Sequence, residues 1–155
     1  MVKSYRPKKG SRLTNEQAQR YGDEISTFSK GKNISAFDVV ESAKGKDSPL
    51  HDYFDWDNDV AGDKWRLEQA QCMIRSIEVK YIGGDGKPEY IRMMYNLETE
   101  ENKNMYIPVD EVFSSEIYRE QLLERAYSEA ISWKERYHHL QEFSKVFESI
   151  ERLKM

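Results

Sequence analysis

Residues 48–71, which read SPLHDYFDWDNDVAGDKWRLEQAQ, contain the densest group of side chains that could bind a metal ion. Three of their carboxylates have the spacing of the first, third and fifth positions of an EF-hand calcium loop: Asp55, Asp57 and Asp59. That loop also requires glycine at its sixth position and a bidentate acid at its twelfth, where this chain has Val60 and Arg66. The sequence therefore predicts no metal site in this segment.

Helix capping is an alternative explanation of the same aspartates. The Ser-Pro step at residues 48–49 is typical of a helix start, so residues 49–54 are predicted to form a short helical turn with Tyr53 pointing to the core. Asp57 is predicted to be the N-cap of a longer helix. Asp63 falls near the first turns of that helix, where the helix dipole favours carboxylates. On this interpretation the acidic side chains start helices.

Groups suited to catalysis are few in the rest of the chain. His138 and His139 are adjacent, so on a helix they point about 100° apart and do not present two ligands to one metal ion. Cys72 falls with Trp65 on a wide apolar sector of the predicted helix, which favours burial of the thiol. The GGDG sequence at residues 83–86 lies between two predicted strands, unlike a phosphate-binding loop. We therefore expect a non-enzymatic protein with no catalytic residue and no cofactor.

Two capping signals predict helices before residue 48. Thr14 with Gln17 three residues later begins the first helix, and Ser35 with Asp38 begins a second, shorter one. These helices and the helix after Asp57 form the predicted helical part of the chain.

Alternating patterns predict a small sheet after the helices. Residues 77–82 and 89–97 are separated by a turn and indicate a β-hairpin, and residues 105–109 are predicted to add a third strand. We expect an α+β fold with an N-terminal helical segment, a three-stranded antiparallel meander and a long C-terminal α-helix. The predicted divisions are a basic arm over 1–12 and one domain over 13–155, which is helical over 13–75, a β-meander over 76–109 and a long helix over 110–155.

The C-terminal helical pattern is unusually long. Residues 116–153 contain no Gly or Pro, and as one helix they would measure roughly 57 Å at 1.5 Å per residue. Such a helix bends, breaks or packs on another chain. Its apolar stripe is consistent with a homo-oligomer and equally with a monomeric helical hairpin, and the sequence leaves both open. The candidate interface residues are Trp133, Tyr137, Leu140, Phe143 and Phe147.

Basic residues are concentrated at the amino terminus. Residues 1–12 carry five Lys or Arg side chains and no acid, so the remaining residues carry −9 because the whole chain has a formal charge of −4. An unstructured arm of this kind is suited to phosphates along a DNA backbone or in a minor groove, and it is equally typical of a solubilising tail. Arg66 and Arg75 join the arm only if the fold brings them to it. The candidate nucleic-acid-binding residues are Arg6, Lys8, Lys9, Arg12, Arg66 and Arg75.

Composition indicates a folded protein of a reducing compartment. The chain has 3 Trp, 10 Tyr and 6 Phe, which supply a buriable core, and a single cysteine, which cannot form an intrachain disulfide. No segment approaches the roughly 18 apolar residues that span a bilayer, and the start MVKSYRPKKGSR has no apolar stretch. We therefore expect a cytoplasmic protein with no membrane partner.

Three segments together resemble a known group of proteins. They are SPLHDYFDWDNDVAGDKWRLEQAQCMIRSI, the later YIPVDEVF, and the helix containing YREQLLERA and RYHHLQEFSKVFESI. Over most of the chain they resemble a family of small proteins of tailed bacteriophages and prophages, in which a Ser-Pro-Leu-His segment, an aromatic-Trp-Asp step and an Arg-x-x-Gln-Ala helix occur in this order. Gly62 departs from the pattern, which has alanine there. The resemblance implies a bacterial host cytoplasm and a DNA-associated role, with no catalytic residues.

Two functional hypotheses follow. The first is a non-enzymatic phage accessory protein that binds nucleic acid through the basic arm and self-associates through the C-terminal helix. The second is a protein–protein adaptor, in the virion or on a host factor, that docks through the aromatic C-terminal helix. Salt-dependent DNA binding is expected for the first hypothesis and not for the second.

Overall fold

A computed structural model describes residues 3–58 and 62–153, and in them the predicted α+β class is confirmed. The chain divides into two compact units, residues 1–111 and residues 112–155, whereas we expected one domain over residues 13–155. The α-helices are α1 (Asn15–Ser29), α2 (Ala36–Ala43), α3 (Asp63–Arg75), α4 (Val109–Ser114), α5 (Glu116–Tyr137) and α6 (Ser144–Arg152). The strands are β1 (Tyr5–Pro7), β2 (Ile77–Ile82), β3 (Pro88–Arg92), β4 (Met94–Leu97) and β5 (Met105–Pro108).

The larger sheet of the first unit has three antiparallel strands in the order β1-β2-β3. Val79 of β2 lies opposite Tyr5 on one side and Ile91 on the other. The predicted hairpin of β2 and β3 is confirmed. The predicted meander is wrong in its third strand, because β1 from the basic arm completes the sheet in place of residues 105–109.

The predicted strand over residues 89–97 breaks at Met93. Met93 and Met94 are both buried, whereas successive side chains of one strand point to opposite faces. The Met93 N–H donates to the Ile77 carbonyl at 3.3 Å, and its own carbonyl accepts from the Val109 N–H at 3.0 Å. After this break β4 pairs with β5 in a separate two-stranded sheet.

The basic arm is ordered where β1 packs on helix α1. The buried ring of Tyr5 lies against Gly22, where an added Cβ would be 2.4 Å from the ring carbon Cγ. The Gln19 side chain accepts from the Tyr5 N–H at 2.9 Å and donates to the Lys3 carbonyl at 2.8 Å. The expectation of an unstructured arm is therefore wrong for β1.

Helices α1 and α2 begin at the predicted caps. Thr14 with Gln17, and Ser35 with Asp38, form reciprocal capping boxes. The apolar faces of both helices pack with α3 and the sheet into one core. Its largest fully buried side chains include Tyr21, Ile25, Leu50, Met73, Ile74 and Ile77.

Helix α3 begins later than the predicted N-cap at Asp57. Gly62 precedes its first residue with an extended backbone, φ −83° and ψ 176°, and Asp57 lies in the non-helical segment before it. Asp59, whose carboxylate has the EF-hand spacing, lies outside the described residues together with Val60 and Ala61. Asp63 does occupy the first turn, where the helix dipole favours it.

The second unit contains a helical hairpin in place of one long helix. Helix α5 ends at Tyr137, Leu140 is extended with φ −87° and ψ 96°, and α6 follows a short 3-10 turn over Gln141–Phe143. The Trp133 ring packs on three aromatic rings with centroids 5.4 to 5.8 Å away: Tyr137, Phe143 and Phe147. The predicted helix over 110–155 is thus broken, because its aromatic stripe packs on itself.

Candidate nucleic-acid interface

Arg66, one of the predicted phosphate contacts, is buried and organises the loop before helix α3. Its side chain is 8% exposed. The guanidinium donates to Asp63 Oδ1 at 2.9 Å and to Asn58 Oδ1 at 3.0 Å, and it lies 5.5 Å from the centroid of the Trp56 ring. These groups compensate a buried charge that would otherwise be costly. Arg66 is therefore not accessible to a phosphate, and we remove it from the candidate contacts.

His51 and Trp56, which precede helix α3, also contact each other. The rings of His51 and Trp56 stack with centroids 5.0 Å apart and an interplanar angle of 9°. His51 Nδ1 lies 2.8 Å from the Ala43 carbonyl, and Trp56 Nε1 donates to the His51 carbonyl at 2.9 Å. Across residues 3–58 and 62–153, no group of three or more His, Cys, Asp or Glu side chains is placed to hold a metal ion.

The opposite face of α3 is exposed. Four residues at spacings of three, four and three share this face: Trp65, Glu68, Cys72 and Arg75. Trp65 is 49% exposed and Cys72 is exposed, so the predicted burial of the thiol is wrong. The buried face of the same helix consists of Arg66, Ala70, Met73 and Ile74.

The exposed face of α3 lines an open groove, which we name the basic groove. Arg12 and Tyr53 also line it, and its volume is about 610 Å³. An adjoining cavity of about 480 Å³ shares three lining residues with the groove: Arg12, Tyr53 and Cys72. Arg12 of the arm and Arg75 of α3, two predicted phosphate contacts that are distant in sequence, therefore line the same groove.

Tyr53 is held in place at the groove by its neighbours. Its ring makes edge-to-face contacts with Tyr21, at a centroid distance of 5.8 Å, and with Phe54, at 5.5 Å. Burial raises the pKa of the Tyr53 hydroxyl, and a hydrogen bond with Cys72 raises it further. Tyr53 therefore presents a neutral, fixed ring in the groove.

The turn at residues 8–12 brings the arm to the end of α3. The Lys8 N–H donates to the Ser76 carbonyl at 2.9 Å, and the Ser11 N–H donates to the Lys8 carbonyl at 2.9 Å. Gly10 closes this turn with φ 86°, a conformation that favours glycine. Lys8 and Lys9 are exposed on the turn.

Arg6, by contrast, is engaged within the sheet. Its Nε donates to Glu78 Oε2 at 3.0 Å, and its guanidinium carbon lies 4.2 Å from the centroid of the Tyr90 ring. Glu78 lies on β2, the neighbour of β1, and Tyr90 lies on β3. These contacts link β1 to the other two strands of the sheet.

Charges around the groove favour an anion. Four basic side chains, which we name the basic quartet, lie in the groove or on the adjoining turn: Lys8, Lys9, Arg12 and Arg75. In the part of the chain that the structure describes, no ion pair includes any of them. Asp52 lines the adjoining cavity, but its carboxylate accepts from Arg20 at 2.5 Å and from the Tyr21 hydroxyl at 3.0 Å. Glu68 is an opposing acid in the groove lining.

The five predicted interface residues lie together in the helical hairpin. Phe147 is buried, Phe143 and Tyr137 are partly exposed, and the Leu140 N–H donates to the Tyr137 carbonyl at 2.9 Å within the bend. The contacts of Tyr137, Phe143 and Phe147 with Trp133 account for the aromatic stripe within one chain.

Sequence reasoning missed Trp65 and Tyr53 as groove residues. The sequence predicts Tyr53 in the core and Trp65 on an apolar sector of the helix, since aromatic side chains are buried more often than they are left exposed. The available signal was the spacing of Trp65, Glu68, Cys72 and Arg75, which places charged groups on the face opposite Ala70 and Ile74.

Comparisons with protein-family models, with curated proteins and with solved structures found no match to this chain. No helix within residues 3–58 and 62–153 has both the length and the apolar character that crossing a membrane requires.

Proposed function

We propose that this chain is a non-enzymatic accessory protein of a tailed bacteriophage that binds nucleic acid through the basic groove. The observation that carries the proposal is the presence of Arg12 and Arg75 in the lining of one open groove. Guanidinium groups bind phosphates through paired, charge-assisted hydrogen bonds. The phage setting, in the cytoplasm of a bacterial host, comes from the sequence resemblance.

Local charge supports the proposal although the chain is acidic. The formal net charge is −4, which predicts no general attraction to phosphates. Binding to a nucleic-acid backbone depends instead on how many positive groups meet phosphates at one surface. The groove lining supplies two such groups, Arg12 and Arg75, and Lys8 and Lys9 are exposed on the adjoining turn. The ion pair of Asp52 with Arg20 keeps a nearby carboxylate engaged.

Fluorescence anisotropy with labelled single-stranded and duplex oligonucleotides tests this proposal. Affinity should fall steeply as salt rises, because each phosphate contact releases a counterion and adds about 0.7 to 0.9 to the slope of log K against log salt. Arg12→Ser with Arg75→Ser should lower that slope by about 1 to 2. Failure to bind either form of DNA at low salt would overturn the proposal.

A charge-matched control is available on helix α5. Arg119→Ser with Arg125→Ser removes the same charge from exposed positions that do not line the groove, and it should leave the slope unchanged. An equal loss in this control would mean that total charge, and not the groove, governs binding. Truncation of the arm is a poor test, since β1 is a strand of the sheet.

Helix α5 supports a second candidate function, a protein–protein adaptor or a self-association surface. None of its residues is buried, and Ile117 and Leu123 are 67% and 46% exposed. Apolar side chains on an exposed helix suit packing against another helix. Light scattering should then show a concentration-dependent mass that Ile117→Glu with Leu123→Glu lowers, and a monomeric mass at every concentration would remove self-association from the proposal.

A further inference from the structure

We infer that the basic groove binds single-stranded nucleic acid with a base stacked on the exposed ring of Trp65, an inference that rests on the function proposed above. Trp65 is 49% exposed within the groove lining. The ring contacts found among the described residues do not include it. A half-exposed tryptophan ring in a groove that is also lined by two arginines is the kind of surface on which nucleic-acid bases stack.

The order of groups along α3 matches the repeating chemistry of a single strand. Trp65 and Arg75 are ten residues apart, or about 15 Å along the helix axis, and Cys72 lies between them beside Tyr53. A strand lying along this face would place a base at Trp65 and phosphates at Arg75 and Arg12. Single-strand sites combine stacking rings with a positive track for the backbone in this way.

The exposed ring of Trp65 favours a single strand over a duplex. In a duplex the bases remain stacked inside the helix, so their faces do not reach a side chain. A duplex would contact the basic quartet but not the face of Trp65.

Tyr53 and Gln71 line the same groove as Trp65. The contacts of Tyr53 with Tyr21, Phe54 and Cys72 restrain its ring before any ligand arrives, which lowers the entropy cost of binding. The Gln71 amide also lines the groove and has both donors and an acceptor for a base edge.

Three oligonucleotides separate base stacking from phosphate binding. An oligothymidylate of about 12 nucleotides, within the usual range of single-strand sites, is compared with an abasic strand of equal length and with a duplex of equal length. Oligothymidylate should bind about tenfold more tightly than the abasic strand, which has the same phosphates and no bases. It should also bind more tightly than the duplex and quench tryptophan fluorescence.

Substitution of Trp65 should affect one ligand selectively. Trp65→Leu should weaken oligothymidylate binding about tenfold and leave abasic-strand binding unchanged, and Trp65→Phe should retain part of the affinity. Phe37→Leu is the matched control, since Phe37 is 60% exposed and does not line the groove. Circular dichroism confirms folding of each variant.

The single cysteine gives an independent measure of where the strand lies. Cys72 is exposed in the groove, so iodoacetamide should alkylate it in the free protein. Oligothymidylate at about ten times its Kd leaves roughly one tenth of the grooves free, so alkylation should slow about tenfold. Unchanged alkylation at saturation would show that the strand binds elsewhere and would overturn the inference.

Each outcome distinguishes the inference from the proposed function. Equal binding of oligothymidylate and the abasic strand, with sensitivity to Arg12 and Arg75 but not to Trp65, would keep phosphate binding and overturn base stacking. Tighter binding of the duplex than of oligothymidylate would also keep phosphate binding and overturn base stacking. Absence of binding to all three ligands would overturn both.

Discussion

Two regions of this protein are built around a tryptophan on a helix, and they differ in what covers the ring. Trp133 of α5 has Tyr137, Phe143 and Phe147 within 5.8 Å of its ring centroid. Trp65 of α3 is 49% exposed and lines the basic groove with Arg12, Tyr53 and Arg75. The first ring is partly exposed and packs among three other aromatic rings of a hairpin, whereas the second is half exposed and has no aromatic ring packed on it.

The difference teaches that helical spacing alone does not define the role of an aromatic residue. Both tryptophans stand in three-and-four patterns, which normally indicate a buried stripe. Trp133 packs on other aromatic rings because the chain bends at residues 138–140 and returns as α6. On α3 the opposite face packs in the core, and among the described residues no aromatic ring packs on Trp65.

Substitution of the two tryptophans should have the largest and most unequal effect on stability. Trp133→Ala removes the centre of an aromatic cluster and should lower the unfolding free energy by about 3 kcal/mol, whereas Trp65→Ala removes an exposed ring and should change it by less than about 0.5 kcal/mol. Urea titration followed by far-UV circular dichroism measures both. Similar losses for the two variants would mean that Trp65 has a structural role.

Two arginines on α3 extend the comparison to its charged residues. Arg66→Leu breaks the bonds to Asp63 and Asn58 and should cost about 2 kcal/mol of unfolding free energy. Arg75→Leu, on the exposed face, should leave stability within about 0.5 kcal/mol and weaken DNA binding. Urea titration measures the stability of both variants, and fluorescence anisotropy on the same samples measures their DNA binding. Loss of DNA binding in folded Arg66→Leu protein would contradict the conclusion that Arg66 does not contact nucleic acid.

A glycine pair tests whether packing on α1 orders the arm that supplies Arg12. In Gly22→Ala the new Cβ would clash with the Tyr5 ring, so we expect a cost of about 1.5 kcal/mol and faster amide exchange at Lys80, whose N–H donates to the Ser4 carbonyl. Gly45→Ala meets nothing within 4 Å and is the control. Unchanged Lys80 exchange in Gly22→Ala would show that β1 does not depend on this contact.

Alkaline pH should produce the smallest effect, through Tyr53 in the groove wall. Burial raises the pKa of its hydroxyl in the folded protein, so above the ordinary tyrosine value of 10.0 the unfolded chain loses this proton first. The unfolding free energy should therefore fall as pH rises above that value, and Tyr53→Phe should make the fall shallower. Urea titrations at about pH 9 and about pH 11 measure the slope, and equal slopes for the two proteins would argue against a buried hydroxyl.

Local signals in the sequence predicted much of the secondary structure. The capping boxes at Thr14 and Ser35 and the alternation of residues 77–82 gave correct helix starts and a correct hairpin. They succeed because a capping side chain and a turn bond to residues only a few positions away. The N-cap at Asp57 failed, since the chain before α3 is organised by Arg66 from within the helix, a contact that no capping pattern reveals.

The candidate site was predictable only in part. Arg12 and Arg75 were chosen from the sequence for their charge, but their presence in one groove depends on the pairing of β1 with β2, which joins segments more than seventy positions apart. Arg6 and Arg66 have the same side chain, yet Arg66 is buried against Asp63 and Asn58, and the half-exposed Arg6 pairs with Glu78. Charge identifies candidates, and long-range packing selects among them.

The sequence by itself determined the elements whose causes are local: capped helices, a turn-linked hairpin, a basic amino terminus and a chain with a single thiol. Tertiary structure alone decided that the arm becomes a strand against Gly22, that the C-terminal helix folds back on Trp133, and that one face of α3 stays open. The physical reason is that burial depends on which distant surface is available to cover a side chain, and a pattern of neighbouring residues does not contain that information.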